Sequence, residues 1–430
     1  MGEETDMNVL TDVYDRIYEF DALYEAYRCA RKGKRYRDEV MRFTADLEGN
    51  LINLSNHLIW ESYEVGPYHP FYVYEPKKRL VMSLQFPDRV VQWAIYNVLA
   101  PFYDKMFIND TFACREGKGS HAAADRLQYW MRKVDRKPET WYYLKLDISK
   151  YFYRVDHAVL ERILARRIKD ERLMGLLHKI INSEDQAFGL PAGYAPDEVC
   201  EDDWLYDTGM PIGNLTSQLF ANIYLNELDQ YCKHVLHIRY YIRYMDDIII
   251  LHPDKKRLAS WKDYISDFLE GVLHLSLNRK TAIRKCSKGI DFVGYRIWAT
   301  HRRLKRKTAR RMIRRFKGMC RLLADGEMSR EKFNRVVASY KGSLSHCNSK
   351  GLRRKLNRIY LESLQKPEVL TMTFEEMAEK VARATKAQSR AIDSLYMELC
   401  KRAKPEELAT MPCMEDIKEA ATLLKELGLL

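Results

Sequence analysis

The sequence predicts an α+β protein in which helices surround a few short, apolar β-segments. Three observations carry this prediction. Residues 1–65 repeat apolar side chains at helical spacing, through Val13, Ile17, Phe20, Leu23, Tyr24 and Tyr27. WYYLKLDI at 141–148 and YYIRYMDDIIIL at 240–251 are short apolar runs with the length and residue types of buried strands. RRLKRKTARRMIRRFK at 302–317 carries ten Lys or Arg in sixteen residues and opens a helical region reaching about residue 365.

Along the chain, a second amphipathic helix is expected over Asp38–His57, joined to the first by a basic connector holding Lys32, Lys34, Arg35 and Arg37. FYVYEPKKRLVMSLQF at 71–86 alternates in part and contains Pro76, which reads as a short β-ribbon. Asp88 is placed to cap a helix from Arg89 to Tyr103. A helical segment is expected over Val155–Ile181, then a loop or small hairpin at 183–209 with eight acidic side chains. A helix beginning near Thr216 or Ser217 runs to Val235, and an amphipathic helix covers Lys262–Leu273. The charge balance changes near 366–371. The last 60 residues carry 11 acidic and 9 basic side chains, so all the excess positive charge precedes them. Phe374, Met377, Val381, Ile392, Leu395 and Leu399 give that extension helical periodicity. The organisation read from this is 1–65, an N-terminal helical segment; 66–300, the main domain; 301–365, a basic helical unit; and 366–430, a helical extension.

The chain has 430 residues, 46% of them hydrophobic, enough for a large core without disulfides or structural metal. Lys and Arg number 72 against 60 Asp and Glu, a net charge of +12, which suits a polyanionic partner. The nine cysteines are scattered, with no CxxC pair, so neither a disulfide scaffold nor a zinc ribbon is expected. The longest apolar candidate, Val90–Ala100, is too short to span a bilayer and contains Gln92 and Asn97. With no signal peptide at its start, the chain is expected to be cytoplasmic, with no membrane partner.

The chemistry concentrates in aspartates. Asp147 ends one apolar strand, and Asp246 and Asp247 sit at the tip of another. Carboxylates at the ends of buried strands are costly unless a cation compensates them. Two hard divalent ions held about 3.5–4 Å apart by such groups can drive in-line phosphoryl transfer. An Asp-Asp pair alone is equally ordinary turn chemistry, so the wider context decides.

That context is LKLDISKYFYRVDH, GMPIGNLTSQLFANIYLNELD and RYMDDIIIL, in this order in one chain. Together they resemble the palm of a reverse transcriptase over about residues 70–300. PKKRLVMSLQFPDRVVQWAI and FACREGKG resemble its fingers, and LNRKT and IDFVGYRIW its last palm motifs and primer grip. The resemblance implies a right-hand polymerase fold with fingers, an antiparallel-sheet palm, a helical thumb and a helical C-terminal extension. It implies RNA-directed DNA synthesis with two Mg²⁺ ions. Asp147, Asp246 and Asp247 would be catalytic and would hold metal with the carbonyl of Ile148. Phe152 would screen the sugar. Lys77, Arg79, Arg115 and Lys280 would contact the triphosphate, with Ile212 and Gln218 beside the template–nucleotide pair. Gly294 would belong to the primer grip. Arg303, Arg310, Arg314 and Lys317 are expected near one helix face that contacts nucleic acid.

Many reverse transcriptases carry Gln-Gly where this chain has Ile212-Gly213, followed here by Ser217-Gln218. That variant, with YEPKKRL, FACREGKGSHA and SYKGSLSHCNS, resembles the enzymes of diversity-generating retroelements. The resemblance implies error-prone copying of template adenines during mutagenic retrohoming, in a bacterium or phage. It implies a template RNA, the cDNA/RNA duplex, dNTPs and a separately encoded accessory variability determinant as partners. Two alternatives remain open: a reverse transcriptase of a phage-defence or group II-like element, and a catalytically silent RNA-binding scaffold.

Overall fold

The computed structural model describes residues 9–74, 78–182, 186–191, 194, 196, 198–200 and 203–364. Within these the chain divides into two compact units between Thr300 and His301. The extension expected over 366–430 lies outside the described residues.

The first unit opens with four helices, α1 (Asp15–Tyr18), α2 (Phe20–Ala30), α3 (Asp38–Ala45) and α4 (Leu47–Ile59). The continuous helix expected over Asp38–His57 is broken at Asp46, which leaves helical geometry and caps α4 by accepting from the Gly49 N–H. A ribbon follows, β1 (His69–Val73) against β2 (Arg79–Ser83). The next helix, α5, spans Phe86–Met106. Asp88 is therefore not its cap. It lies buried in the first turn and accepts from the Tyr63 hydroxyl at 2.7 Å and the Gly66 N–H at 3.2 Å.

After α6 (Ser120–Asp135) and β3 (Tyr142–Asp147), the helical stretch expected over Val155–Ile181 is two helices, α7 (His157–Ala165) and α8 (Glu171–Ile181). Asp156 and Asp170 cap them through the N–H groups of Val159 and Leu173. The chain then forms α9 (Leu215–Gln230), the hairpin β4 (Tyr241–Tyr244) and β5 (Asp247–His252), α10 (Lys255–Val272), β6 (Ala282–Lys285), and the small hairpin β7 (Ile290–Phe292) and β8 (Tyr295–Ile297). Helix α10 begins earlier than the expected Lys262 because Asp254 caps it at Lys256.

The central sheet has the order β4-β5-β3-β6 and is antiparallel throughout. Strand alternation divides its faces. Leu144, Leu146, Ile148, Ile248 and Ile250 enter one core with Phe220 and Tyr224 of α9 and Ile265 and Leu269 of α10. Lys145, Asp147 and Asp247 take the other face, with Asp147 opposite Asp247 in register. Helical packing on one face thus gathers the polar groups on the other.

The second unit contains β9 (Arg302–Leu304) and three helices, α11 (Arg306–Ala324), α12 (Arg330–Ser345) and α13 (Lys350–Leu364). Phe316, Met319, Cys320, Phe333, Leu344, Leu356 and Ile359 form its own core. No helix among the described residues is long and apolar enough to cross a membrane.

Candidate active site

Asp147 is the last residue of β3, and Asp246 sits in the two-residue turn between β4 and β5. The turn is tight because Met245 adopts φ +52°, a left-handed conformation that non-glycine residues rarely take. The Ile148 N–H donates to the Asp246 carbonyl at 3.3 Å, and the Asn278 N–H donates to the Asp147 carbonyl at 2.7 Å. Backbone bonds therefore lock the two aspartate-bearing segments together.

Burial pushes the Asp246 carboxyl up to about 6, reinforced first by the charge of Asp147 and more weakly by Asp247, while Arg79 opposes the shift. A carboxyl that resists ionisation beside other carboxylates is a ready cation ligand. The opposing charge of Arg79 places the ribbon within electrostatic reach of Asp246. Among the described residues no group of three or more His, Cys, Asp or Glu side chains forms a metal-holding cluster. Asp247 is taken up otherwise: Lys145 Nζ sits 2.6 Å from one of its oxygens and 2.7 Å from the other, and also donates to the Asp291 carbonyl. Asp147 and Asp246 still fit Mg²⁺, which commonly takes one or two carboxylates and completes its sphere with water and substrate phosphate.

The other expected site residues fall as follows. Phe152 lies in a single 3-10 turn after β3, reached through Lys150 at φ +47°. Its ring packs against Tyr151, and its carbonyl accepts from the Met210 N–H at 2.7 Å. The Ile212 carbonyl accepts from the Met82 N–H at 2.9 Å, docking the ribbon on the loop before α9. Gly213, at φ +128°, allows that approach: a Cβ there would lie 2.9 Å from Val81 Cγ1 and 3.0 Å from the Met82 carbonyl oxygen. Gln218 accepts from the Cys114 thiol at 3.2 Å. Lys280 is exposed in a turn ordered by Asn278. Gly294, φ +87°, and Val293, φ +40°, form the turn joining β7 to β8. Lys77 lies outside the described residues.

Two expectations are corrected. Arg115 is not poised for a triphosphate. Its side chain is nearly buried and binds Asp104 Oδ1 at 2.5 Å and the carbonyls of Ile108, Thr111 and Asp104, clamping the chain just beyond α5. Arg303 is not on the basic helix. It lies in β9, and α11 starts at Arg306. Arg310, Arg314 and Lys317 do share one exposed face of α11, opposite Met312, Phe316 and Met319.

Sequence reasoning missed three groups. Lys145 stands two residues before Asp147, and strand alternation alone puts both on one face. Arg243 interrupts an apolar strand and forms a buried ion pair with Asp229. A lone charge inside an apolar run is the signal that could have found it. The third is a cavity of about 630 Å³ lined by Ser149, Lys150, Arg154, His274, Asn278 and Arg279, beginning two residues past Asp147.

Comparison with known proteins bears on this geometry. Residues 75–297 match the family described as reverse transcriptase (RNA-dependent DNA polymerase). Protein YkfC of Escherichia coli K12 is 28% identical over 276 residues, covering 54% of this chain and 68% of that protein. The group II intron-encoded protein LtrA of Lactococcus lactis subsp. cremoris is 23% identical over 365 residues. That alignment covers 67% of this chain and 57% of LtrA, so the chain matches little more than half of that relative's length. Among solved structures, telomerase from Candida tropicalis, in complex with a fragment of telomeric RNA, is similar over 80% of this chain and 67% of its own. The identity is 13% and the TM-score 0.41.

Proposed function

This chain belongs to the reverse transcriptase family, and from that premise we propose that it copies a template RNA into cDNA with two Mg²⁺ ions at Asp147 and Asp246. The observation that carries the reading is the pairing of those two carboxylates: one at a strand end, one in a left-handed turn, joined by the Ile148–Asp246 backbone bond. The sheet that holds them serves as palm, the β1–β2 ribbon as part of the fingers, and α11–α13 as thumb.

In this reaction Mg²⁺ would supply Lewis acidity at the 3′-hydroxyl and charge neutralisation on the leaving pyrophosphate. The chain's own groups do the rest. Asp147, Asp246 and the Ile148 carbonyl hold the ions, while Asp247, neutralised by Lys145, limits the negative charge beside them. Arg79 and Lys77 take the triphosphate, with Lys280 and the cations of the neighbouring cavity on the same anion. Phe152 closes the space a 2′-hydroxyl would need. Gly294 supports the primer. Arg310, Arg314 and Lys317 contact the duplex backbone without reading sequence.

The finer role we assign is mutagenic retrohoming in a diversity-generating retroelement, aided by a separate accessory variability determinant. Its support is Ile212, whose apolar side chain cannot hydrogen-bond as a glutamine would and whose carbonyl takes the ribbon contact at Met82. The names of the relatives favour a second reading, an intron-type element. Primer extension on a defined RNA template with Mg²⁺ and dNTPs, followed by sequencing of the cDNA, tests both. Synthesis should vanish in Asp246→Ala. Errors should concentrate opposite adenine and fall in Ile212→Gln. Accurate copying, with and without the product of a neighbouring gene, would remove the diversifying role and keep the polymerase. No synthesis with native RNA would favour a scaffold.

A further inference from the structure

Arg243 takes no part in the reaction as described, yet it heads the fully buried side chains in size. It lies on β4, two residues before Met245. Its Nε and Nη2 donate to the Asp229 carboxylate on α9 at 2.8 and 2.7 Å, and both side chains are 0% exposed. Its Nη1 donates to Asn222 Oδ1 at 3.2 Å and to the Met245 carbonyl at 3.3 Å. Asp229 also accepts from the Tyr241 and Thr111 hydroxyls, each at 2.7 Å.

The same residues grip a second segment. The Arg243 N–H donates to the Asp110 carbonyl at 3.0 Å, and the Phe112 N–H donates to the Arg243 carbonyl at 3.2 Å. Asn222 Nδ2 donates to the Ala113 carbonyl at 2.8 Å. Residues 110–113 thus run beside β4 and lead directly to Cys114, whose thiol meets Gln218.

Filling this space requires no charge, because an apolar pair of similar volume is often as stable as a buried ion pair. A guanidinium is distinctive in holding several acceptors at fixed angles, which an ammonium cannot do. Here one of those acceptors is the carbonyl of the left-handed residue that immediately precedes Asp246. We infer that Arg243, itself held by Asp229, is a positioning residue: it fixes the Met245 carbonyl, holds the turn that presents Asp246, and couples that turn to the 110–114 segment. This rests on the polymerase reading, in which Asp246 is a metal ligand.

The test compares the full chain with Arg243→Lys and with the apolar double variant Arg243→Met/Asp229→Leu. Thermal unfolding identifies folded variants. RNA-templated extension gives kcat, the dNTP KM and the Mg²⁺ dependence, and hydrogen exchange reports the amides of residues 244–248. In the folded double variant, kcat should fall 30-fold or more, with the dNTP KM within threefold of wild type. Half-saturating Mg²⁺ should rise several-fold. Exchange at 244–248 should quicken at least tenfold, while exchange in α10 stays unchanged. A folded double variant with kcat within threefold and unaltered exchange at 244–248 overturns the inference. Should the double variant not fold, Arg243→Lys decides by the same two readouts. Should the wild type show no RNA-templated synthesis, the polymerase reading fails on its own, and the exchange comparison still decides whether Arg243 holds the turn.

Discussion

Gly213→Ala tests how the ribbon that carries Arg79 is held near the aspartates. Gly213 has φ +128°, where a residue with a Cβ is strained by about 1–3 kcal/mol. The new Cβ would also stand 2.9 Å from Val81 Cγ1 and 3.0 Å from the Met82 carbonyl oxygen. The Val81 methyl can yield, but the Met82 oxygen belongs to strand backbone and cannot rotate away. Such overpacking adds about 1–3 kcal/mol. Gly33→Ala is the internal control: its φ is +72°, and nothing lies within 4 Å of its Cβ. In the first unit the control should lower the melting temperature by roughly 2–4 °C, and Gly213→Ala by roughly 4–12 °C. If the fold relieves the clash by shifting β2 outward, Arg79 moves with it, and the dNTP KM in primer extension should rise several-fold in Gly213→Ala alone. Equal melting temperatures and equal KM values for the two variants would refute the close-approach argument.

Three further outcomes follow from the geometry. The Asp246 carboxyl is raised from 3.8 to about 6 by burial and by Asp147, so between those values the folded protein holds a proton that the unfolded chain has lost. The contribution of Asp246 to metal-free stability should therefore fall by roughly 3 kcal/mol as pH rises from about 4 to 6; in urea titrations Asp246→Asn should remove that downward contribution, and a pH profile unchanged by the substitution would contradict the assignment. Arg115→Met removes the hydrogen bonds that clamp the chain beyond α5. It should cost about 2–3 kcal/mol of stability and leave the dNTP KM of the folded enzyme within about twofold; an intact melting temperature with a large KM increase would restore Arg115 to the nucleotide. Replacing Arg310, Arg314 and Lys317 together by Gln should reduce the slope of log affinity for an RNA/DNA duplex against log salt by about 2–3, measured by fluorescence anisotropy, and an unchanged slope would place the duplex elsewhere.

The aspartate-bearing strands were legible in the sequence because each needed only local information. Asp147 ends an apolar run, and the Tyr-Met-Asp-Asp turn lies between two others. Element boundaries were harder wherever a capping aspartate sat inside a helical pattern. Asp46 and Asp170 each accept an N–H from a residue three positions later and start a new helix, although the apolar period on either side runs on. Asp88 shows the reverse error. Its place beside Pro87 suits a cap, but Tyr63 and Gly66 claim its carboxylate, and the helix starts before it.

What stayed hidden was the destination of the cations. Arg79, Arg115, Lys145 and Arg243 are equally charged on the page of sequence, and only tertiary packing separates their tasks. Arg79 acts on Asp246, Arg115 closes a turn, Lys145 neutralises Asp247, and Arg243 is sealed against Asp229. The burial of Arg115 and Arg243 follows from those partners, because a charge leaves water only where an opposite charge or several acceptors await it. A motif can therefore locate the carboxylates, which mark themselves by interrupting apolar strands. It cannot say which cation answers each one, because Asp247 lies 102 residues beyond Lys145, whereas Asp229 lies only 14 before Arg243. The two ion pairs divide the aspartates by environment. Asp229 and Asp247 have protein partners, whereas burial and Asp147 raise Asp246 towards neutrality, an asymmetry that suits the cation site proposed at Asp147 and Asp246.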